Sequence, residues 1–122
     1  MKNKTVIVGA SPNEGRYAFL AARMLMEYDH EIVPLGIREG SVGGKAILDI
    51  RKEPAIDGVD TVTMYISPRH QPAYYDYLIG LRPRRIIFNP GTENAAFMKL
   101  AENNGIEPVQ ACTLVLLRSH QY

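Results

Sequence analysis

The sequence has little cysteine, little surplus charge and no long apolar run. Its single cysteine, Cys112, cannot form a disulfide within the chain. No apolar segment approaches the ~20 residues that a membrane-spanning helix needs. The apolar run that follows Met1–Lys4 has the length of a strand and is shorter than the apolar region of a secretory signal. We therefore expect a cytoplasmic protein with no membrane partner.

The charges nearly cancel. The chain has 14 lysine and arginine residues against 13 aspartate and glutamate residues, for a formal net charge of +1. Such a balance gives no sign of a nucleic-acid partner or a membrane surface, but it leaves a small or locally charged ligand open. With 122 residues, of which 46% are hydrophobic and 22% charged, the composition predicts one compact domain over residues 1–122.

Short apolar runs alternate with segments of helical periodicity, which is typical of βαβ units. The pattern predicts an α/β, three-layer Rossmann-like fold with a mostly parallel sheet of about five strands. The predicted strands are 5–10, 31–36, 61–66, 85–89 and 106–110; the predicted helices are 16–28, 68 or 71 to 80, and 93–103, with a short final turn at 114–118. Residues 38–60 are rich in glycine and charge, so we expect irregular structure there, with a short edge strand near 45–47 and a turn at 49–52.

Topology then predicts which edge of the sheet holds a ligand. In an open parallel sheet, ligands bind beyond the carboxyl ends of the strands. The segments expected at that edge are 9–15, 36–44, 67–70 and 90–94. Arg82, Arg84 and Arg85 precede a predicted strand and so fall on the opposite edge, where we expect them to face solvent.

The loop at 9–15 follows a strand and precedes a helix, an arrangement whose free N–H groups and helix dipole favour an anion. An NAD-binding loop would read Gly-x-Gly-x-x-Gly, but after Gly9 the next two glycine positions hold Ser11 and Glu14. Arg38, after the second predicted strand, favours a phosphorylated ribose, as in coenzyme A or NADP. A Walker loop is excluded, because the only Gly-Lys dipeptide, at 44–45, has neither the required spacing nor the Ser or Thr.

Three segments match a known pattern in order and spacing. They are Val8-Gly9-Ala10-Ser11-Pro12-Asn13, Gly43-Gly44-Lys45-Ala46 and Phe88-Asn89-Pro90-Gly91-Thr92-Glu93-Asn94. Together they resemble the small single-domain CoA-binding proteins, relatives of the N-terminal domain of the succinyl-CoA synthetase alpha subunit. The resemblance implies that CoA lies extended across the carboxyl edge of the sheet. It also implies that residues 9 and 11–13 contact the phosphates, that Lys45 reaches a phosphate, and that residues 66–68 line the adenosine side or the pantetheine path.

Topology and resemblance together nominate one set of cofactor-binding residues. They are Gly9, Ala10, Ser11, Pro12, Asn13, Arg16, Gly36, Arg38, Lys45, Ile66, Ser67, Pro68, Asn89, Pro90 and Gly91. Three of these assignments have a structural alternative. Ser11 is also suited to cap the following helix, Lys45 to be a solvated surface residue, and residues 89–91 to form a plain turn.

Catalytic groups are few in this sequence. Cys112 lies in an apolar run, which favours a buried thiol over a nucleophile. His70 falls on the expected ligand edge and is the best general-base candidate, but no nucleophile or acid has a spacing that pairs with it. The acids show no metal-ligand spacing. The catalytic histidine of the resembling synthetase belongs to a second domain, outside the resemblance.

We therefore expect non-catalytic binding of coenzyme A or an acyl-CoA, by a sensor, carrier or accessory module that works with a protein partner or as a homo-oligomer. Two other hypotheses stay open. The chain is a small NAD(P)-binding reductase or enzyme subunit that uses His70 or Cys112, or it is an interaction module whose pocket is vestigial.

Overall fold

The computed structural model describes residues 3–122. The first half contains strand β1 (Thr5–Val8), helix α1 (Tyr17–Glu27), strand β2 (Ile32–Gly36), strand β3 (Ser41–Val42), strand β4 (Lys45–Ala46), strand β5 (Leu48–Asp49) and a 3-10 turn at Ile50–Lys52. The second half contains strand β6 (Thr61–Met64), 3-10 turns at Pro68–His70 and Pro72–Tyr74, helix α2 (Tyr75–Gly80), strand β7 (Arg85–Phe88), helix α3 (Ala95–Asn103), strand β8 (Glu107–Gln110) and helix α4 (Thr113–Arg118).

Six strands form one sheet in the order β5-β2-β1-β6-β7-β8. All its pairings are parallel, and β1 lies at the centre, where Val8 pairs with Leu35 of β2 on one side and Met64 of β6 on the other. From β1 the chain builds outward to β5 and then returns to build β6, β7 and β8 on the other side. The direction of the strand order therefore reverses between β1 and β6, which is where ligands bind in open α/β sheets.

Helices cover both faces of the sheet. On one face, alternate strand residues such as Val6 and Phe88 pack with Phe97 of α3 and Leu78 of α2. On the other face, Ile7 and Ile32 pack with the alanines of α1 at 18 and 22, with Leu25 and with Leu117 of α4. Small alanine side chains let α1 lie close to the sheet. The result is the three-layer α/β fold that the alternation of runs predicts.

The sheet of residues 3–122 has six parallel strands, close to the predicted number, because the two-residue strand β5 adds to the edge beside β2. One detail of the prediction was wrong. Residues near 45–47 do not form that edge strand: β4 pairs antiparallel with β3 in a separate hairpin, and the edge strand begins at Leu48. Such short strands carry too few residues for a hydrophobic period to be read from the sequence.

Arg85 is also not the solvent-facing residue that the sequence predicted. Its side chain is buried, whereas Arg82 and Arg84 are exposed and Arg84 forms an ion pair of 3.0 Å with Asp60. Arg85 is the first residue of β7, whose four residues are all buried because helices cover both faces of the sheet. There its Nε donates to Thr61 Oγ1 at 2.9 Å and its guanidinium lies 4.5 Å from the ring centre of Tyr122. The aromatic face stabilises the buried cation.

Within residues 3–122, none of the helices combines the length and the apolar character that crossing a membrane requires.

Candidate functional site

A cavity of about 840 Å³ opens at the carboxyl edge of the sheet, where the strand order reverses. The segments that follow β1, β2, β6 and β7 build its wall, together with the start of α1. The lining residues are Gly9, Ala10, Ser11, Gly15, Arg16, Tyr17, Ala18, Gly36, Ile37, Arg38, Ile50, Tyr65, Ile66, Ser67, Arg69, His70, Ala73, Tyr74, Pro90, Gly91 and Thr92. Small-molecule sites typically measure about 300–1,000 Å³, so the cavity has the size for one ligand.

The loop after β1 is held by hydrogen bonds to β2 and by hydrogen bonds within the loop. The N–H groups of Gly9 and Ala10 both donate to the carbonyl of Leu35 at 2.9 Å. Ser11 Oγ accepts from the N–H of Asn13 at 3.1 Å, and Asn13 Oδ1 accepts from the N–H of Gly15 at 2.9 Å. Ser11 is buried, and a hydroxyl that accepts one bond still has its proton to donate. The serine is therefore the polar group that this loop offers to a ligand.

Gly9 has a conformation that only glycine adopts easily. Its φ is +96°, and a Cβ atom there would lie 2.8 Å from Ile66 Cγ2. Because Gly9 leaves the extended region, β1 ends at Val8 rather than at residue 10 as the sequence suggested. The glycine lets the loop after β1 lie directly against the loop after β6.

The start of α1 faces the same cavity with free donors. Arg16 is the residue that precedes the helix, and no side chain caps it. Ser11 therefore bonds within its own loop. It does not cap α1, which was the alternative role that the sequence left open for it. Within residues 3–122, the N–H groups of Tyr17 and Ala18 donate to no other group, and the first turn has no acidic residue. Such a helix end favours an anion.

The wall is positively charged. Arg16, Arg38 and Arg69 line it, and no aspartate or glutamate of residues 3–122 does. Among the residues that the structure describes, the ion pairs use other arginines and lysines, and these three arginines take part in none. A cationic wall without a carboxylate is suited to a ligand that carries several negative charges.

The side of the cavity after β6 and β7 is more apolar. Ile66, Ala73 and Tyr74 contribute carbon surface there, beside the polar Ser67 and Thr92 and the basic side chains of Arg69 and His70. Tyr65 also lies on this side, and burial raises its pKa to about 12, so its phenol stays protonated at neutral pH. Its carbon surface accommodates a long, weakly polar group, while Arg69 adds a positive charge on the same side.

Most of the nominated cofactor-binding residues meet in this cavity. On its wall are Gly9, Ala10, Ser11, Arg16, Gly36, Arg38, Ile66, Ser67, Pro90 and Gly91. Outside the lining are Pro12, Asn13, Lys45, Pro68 and Asn89. Pro12 lies against Gly40, where an added Cβ would meet it at 2.9 Å. Lys45 is exposed on the β3-β4 hairpin, which agrees with its alternative reading as a surface residue.

The side chain of Asn89 bonds to other protein groups behind the cavity wall. Its Nδ2 donates to Thr63 Oγ1 at 2.7 Å and to the carbonyl of Met64 at 2.9 Å, while its Oδ1 accepts from the N–H of Thr113 at 2.9 Å. The two threonine hydroxyls are themselves 2.8 Å apart. The asparagine thus joins the end of β6 to the start of α4, and both of its polar atoms are occupied by protein groups.

Eleven residues of the wall are absent from the nominated set: Gly15, Tyr17, Ala18, Ile37, Ile50, Tyr65, Arg69, His70, Ala73, Tyr74 and Thr92. Gly15, Ile37, Arg69, His70 and Thr92 lie within the segments expected at the ligand edge, so a signal existed for them. Ala73 and Tyr74 belong to the second of two 3-10 turns, Pro68–His70 and Pro72–Tyr74. The local sequence had suggested one continuous helix from 68 or 71 to 80, which would direct these side chains differently.

The catalytic candidates of the sequence are separated. His70 lines the cavity, and its side chain makes no hydrogen bond to any other part of residues 3–122. Cys112 precedes α4, does not line the cavity and is partly exposed rather than buried. Residues 3–122 contain no cluster of three histidine, cysteine or acidic side chains that could hold a metal ion.

Comparison with known proteins gives a family and a set of structural neighbours. The family model described as CoA binding domain matches residues 3–118. A crystal structure of an uncharacterised protein is 48% identical, with a TM-score of 0.97 over 100% of this chain and 99% of that chain. No curated protein sequence matches the chain.

Two more distant structures share the fold. A Thermus thermophilus protein is 18% identical, with a TM-score of 0.86 over 99% of this chain and 91% of its own. A hypothetical protein from Pyrococcus horikoshii is 23% identical, with a TM-score of 0.82 over 98% of this chain and 82% of its own. At these identities the likeness shows the fold alone.

Proposed function

Because the chain belongs to the CoA binding domain family, we propose that it binds coenzyme A or an acyl-CoA in the cavity at the carboxyl edge of the sheet, without catalysing a reaction. The observation that carries this proposal is the wall on which, within residues 3–122, three arginines form no ion pair and no carboxylate appears. CoA has a diphosphate and a 3′-phosphate on its nucleotide half and a long, weakly polar pantetheine arm. Ser11, Arg16 and Arg38, after β1 and β2, match its charged half, and the carbon surface after β6 and β7 matches its pantetheine arm.

The positions of the donors suggest how the ligand lies. Arg38 follows β2, and Arg16 and Ser11 follow β1, so these groups are suited to the 3′-phosphate and the diphosphate in that order. The free N–H groups at the start of α1 add to the diphosphate site. The pantetheine arm then extends past Ile66 toward Thr92, along the apolar side. This direction follows the usual course of nucleotides across the switch point.

The proposal that the chain does not catalyse rests on the surroundings of His70. A catalytic base is normally oriented by a third group and lies near a nucleophile or an acid. The cavity wall offers His70 no carboxylate, and its side chain has no hydrogen-bond partner within residues 3–122. Tyr65, with its pKa raised to about 12 by burial, is a poor proton donor at neutral pH. We propose a sensor, carrier or accessory module that acts through a protein partner or a second copy.

Isothermal calorimetry with CoA, 3′-dephospho-CoA, NADP and NAD tests the proposed ligand. We expect CoA to bind most tightly and dephospho-CoA to bind more weakly, because the second ligand lacks the phosphate assigned to Arg38. A thermal shift gives an independent check, since a ligand at ~100 times its Kd adds about 2.7 kcal/mol of stability. If NADP binds and CoA does not, the chain is a dinucleotide-binding protein; if none binds, the hypothesis of an interaction module gains support.

A pair of arginine variants tests the cationic wall. Arg38→Gln should weaken CoA binding about tenfold, the effect of losing one charge-assisted contact. The matched control is Arg118→Gln, because Arg118 is exposed on α4, does not line the cavity and belongs to none of the ion pairs of residues 3–122. The control should bind CoA like the parent protein. Equal losses in both variants would indicate a general charge effect and remove Arg38 from the site.

A further inference from the structure

Two loops form the apolar side of the cavity, and one buried side chain joins them. The β6 loop (66–70) follows β6, and the β7 loop (90–92) follows β7. Gln71 lies between them and is fully buried, although it does not line the cavity. Neither composition nor motif drew attention to this glutamine in the sequence.

Gln71 bonds to both loops through one nitrogen. Its Nε2 donates to the carbonyl of Ile66 at 3.0 Å and to the carbonyl of Thr92 at 2.8 Å. An amide nitrogen has two hydrogens, so both are used. Within residues 3–122 neither carbonyl accepts a further hydrogen bond, and two carbonyls cannot bond to each other. A single donor group therefore joins the carbonyls of the two loops.

The orientation of Gln71 is itself fixed by a second amide. Asn94 Nδ2 donates to Gln71 Oε1 at 2.9 Å and to the hydroxyl of Tyr75 at 2.8 Å. The Oδ1 atom of Asn94 accepts from the N–H of Phe97 at 3.1 Å and so caps α3. These bonds determine which end of each amide is the nitrogen. The start of α3 thereby holds Gln71 with its donor toward the loops.

We propose that Gln71 is a positioning residue that sets the spacing of the β6 and β7 loops, and with it the fit of the pantetheine arm or acyl end of the ligand. This inference rests on the proposed binding of CoA. An apolar side chain at residue 71 would leave two buried carbonyls without a donor, which is costly enough for the loops to shift or admit water. The groups assigned to the nucleotide half, Ser11, Arg16 and Arg38, follow β1 and β2 and lie outside both loops.

The test compares two ligands on matched variants. The ligands are CoA and adenosine 3′-phosphate 5′-diphosphate, which is its nucleotide half. Gln71→Met keeps the length of the side chain and removes the amide, and Asn94→Asp keeps the cap of α3 and removes the donor to Gln71. The control Asn104→Ala removes an amide-to-carbonyl bond of 2.8 Å at the far end of α3. Calorimetry is carried out well below the melting temperature of every variant.

We expect Gln71→Met to bind CoA about tenfold more weakly and the nucleotide half within twofold of the parent protein. Asn94→Asp should show the same selective loss to a smaller degree, and Asn104→Ala should show none. A merely structural role would weaken both ligands together, and that result, or an undiminished affinity for CoA, would overturn the inference. If Gln71→Met does not fold, Asn94→Asp decides alone. If the parent protein itself does not bind CoA, the proposed function fails first, and this role fails with it.

Discussion

Replacing Gly36 with alanine should destabilise the protein although the backbone conformation permits any residue there. Gly36 ends β2, and an added Cβ would lie 2.5 Å from the carbonyl oxygen of Ala10. Carbon and oxygen do not approach so closely, so β2 or the loop after β1 must move by about half an ångström or more. That loop is attached to β2 by the bonds from Gly9 and Ala10 to Leu35, and the shift strains both.

The magnitude follows from these contacts. Overpacking against a rigid backbone costs about 1–3 kcal/mol, and weakening two hydrogen bonds adds up to about 1 kcal/mol for each. We expect a loss of about 2–4 kcal/mol in the free energy of unfolding, a large share of the roughly 5–15 kcal/mol that holds a domain together. At this chain length the melting temperature should fall by roughly 10 °C. Urea denaturation followed by circular dichroism measures the free energy directly.

The control for Gly36→Ala is Gly80→Ala. Gly80 is the last residue of α2, and an added Cβ would meet nothing within 4 Å. Alanine is the better helix former, so this variant should be neutral or up to about 1 kcal/mol more stable. If Gly36→Ala unfolds within 1 kcal/mol of the parent protein, the argument from crowding is wrong and the loop after β1 is softer than its hydrogen bonds indicate.

Three further predictions follow from single contacts. Asn89→Ala leaves the N–H of Thr113 without its acceptor and should lower the free energy of unfolding, measured by urea denaturation, by about 2–4 kcal/mol. The affinity for CoA should stay within twofold. A large loss of affinity at unchanged stability would return Asn89 to the binding site. Phe97→Ala should cost about 3–5 kcal/mol in the same assay, because Phe97 is fully buried against Phe88, and a loss under 1 kcal/mol would contradict that packing. Burial and the charge of Arg85 lower the pKa of His30, so the unfolded chain takes up the proton at a higher pH than the folded chain does. Stability should therefore fall as the pH drops from 7 to 5. His30→Gln should flatten this profile, and an identical profile would show that His30 does not cause it.

The sequence predicted the long elements well because their signals are local and repeated. The apolar run at 5–8 and the periodicity of α1 each contain enough residues to define a strand or a helix, and the ligand edge then follows from the parallel topology. The two-residue strands and the 3-10 turns were not predictable in the same way. Their conformation depends on what they pack against, and a two-residue strand has no period.

The candidate site was predictable as a set of segments rather than as a set of side chains. Asn89 shows the reason. Its motif predicted the loop after β7, but only the folded structure shows that its amide bonds to Thr63 and Met64. Gln71 is the converse case. It belongs to no motif, and its role depends on two carbonyls that come together only in the folded chain. Buried polar side chains are therefore the part of a site that sequence patterns describe least well.

The proposed function also accounts for the missing second glycine in the loop after β1. A Gly-x-Gly-x-x-Gly loop brings its backbone close to the pyrophosphate. Here the N–H groups of Gly9 and Ala10 are already bonded to Leu35, and a serine occupies the position of the second glycine. Under the proposed function, the anion is recognised instead by the Ser11 hydroxyl, by the uncapped start of α1 and by the arginines of the wall. A site built from long cationic side chains can hold phosphates at several distances, which suits the separate 3′-phosphate and diphosphate of CoA better than the single pyrophosphate of NAD.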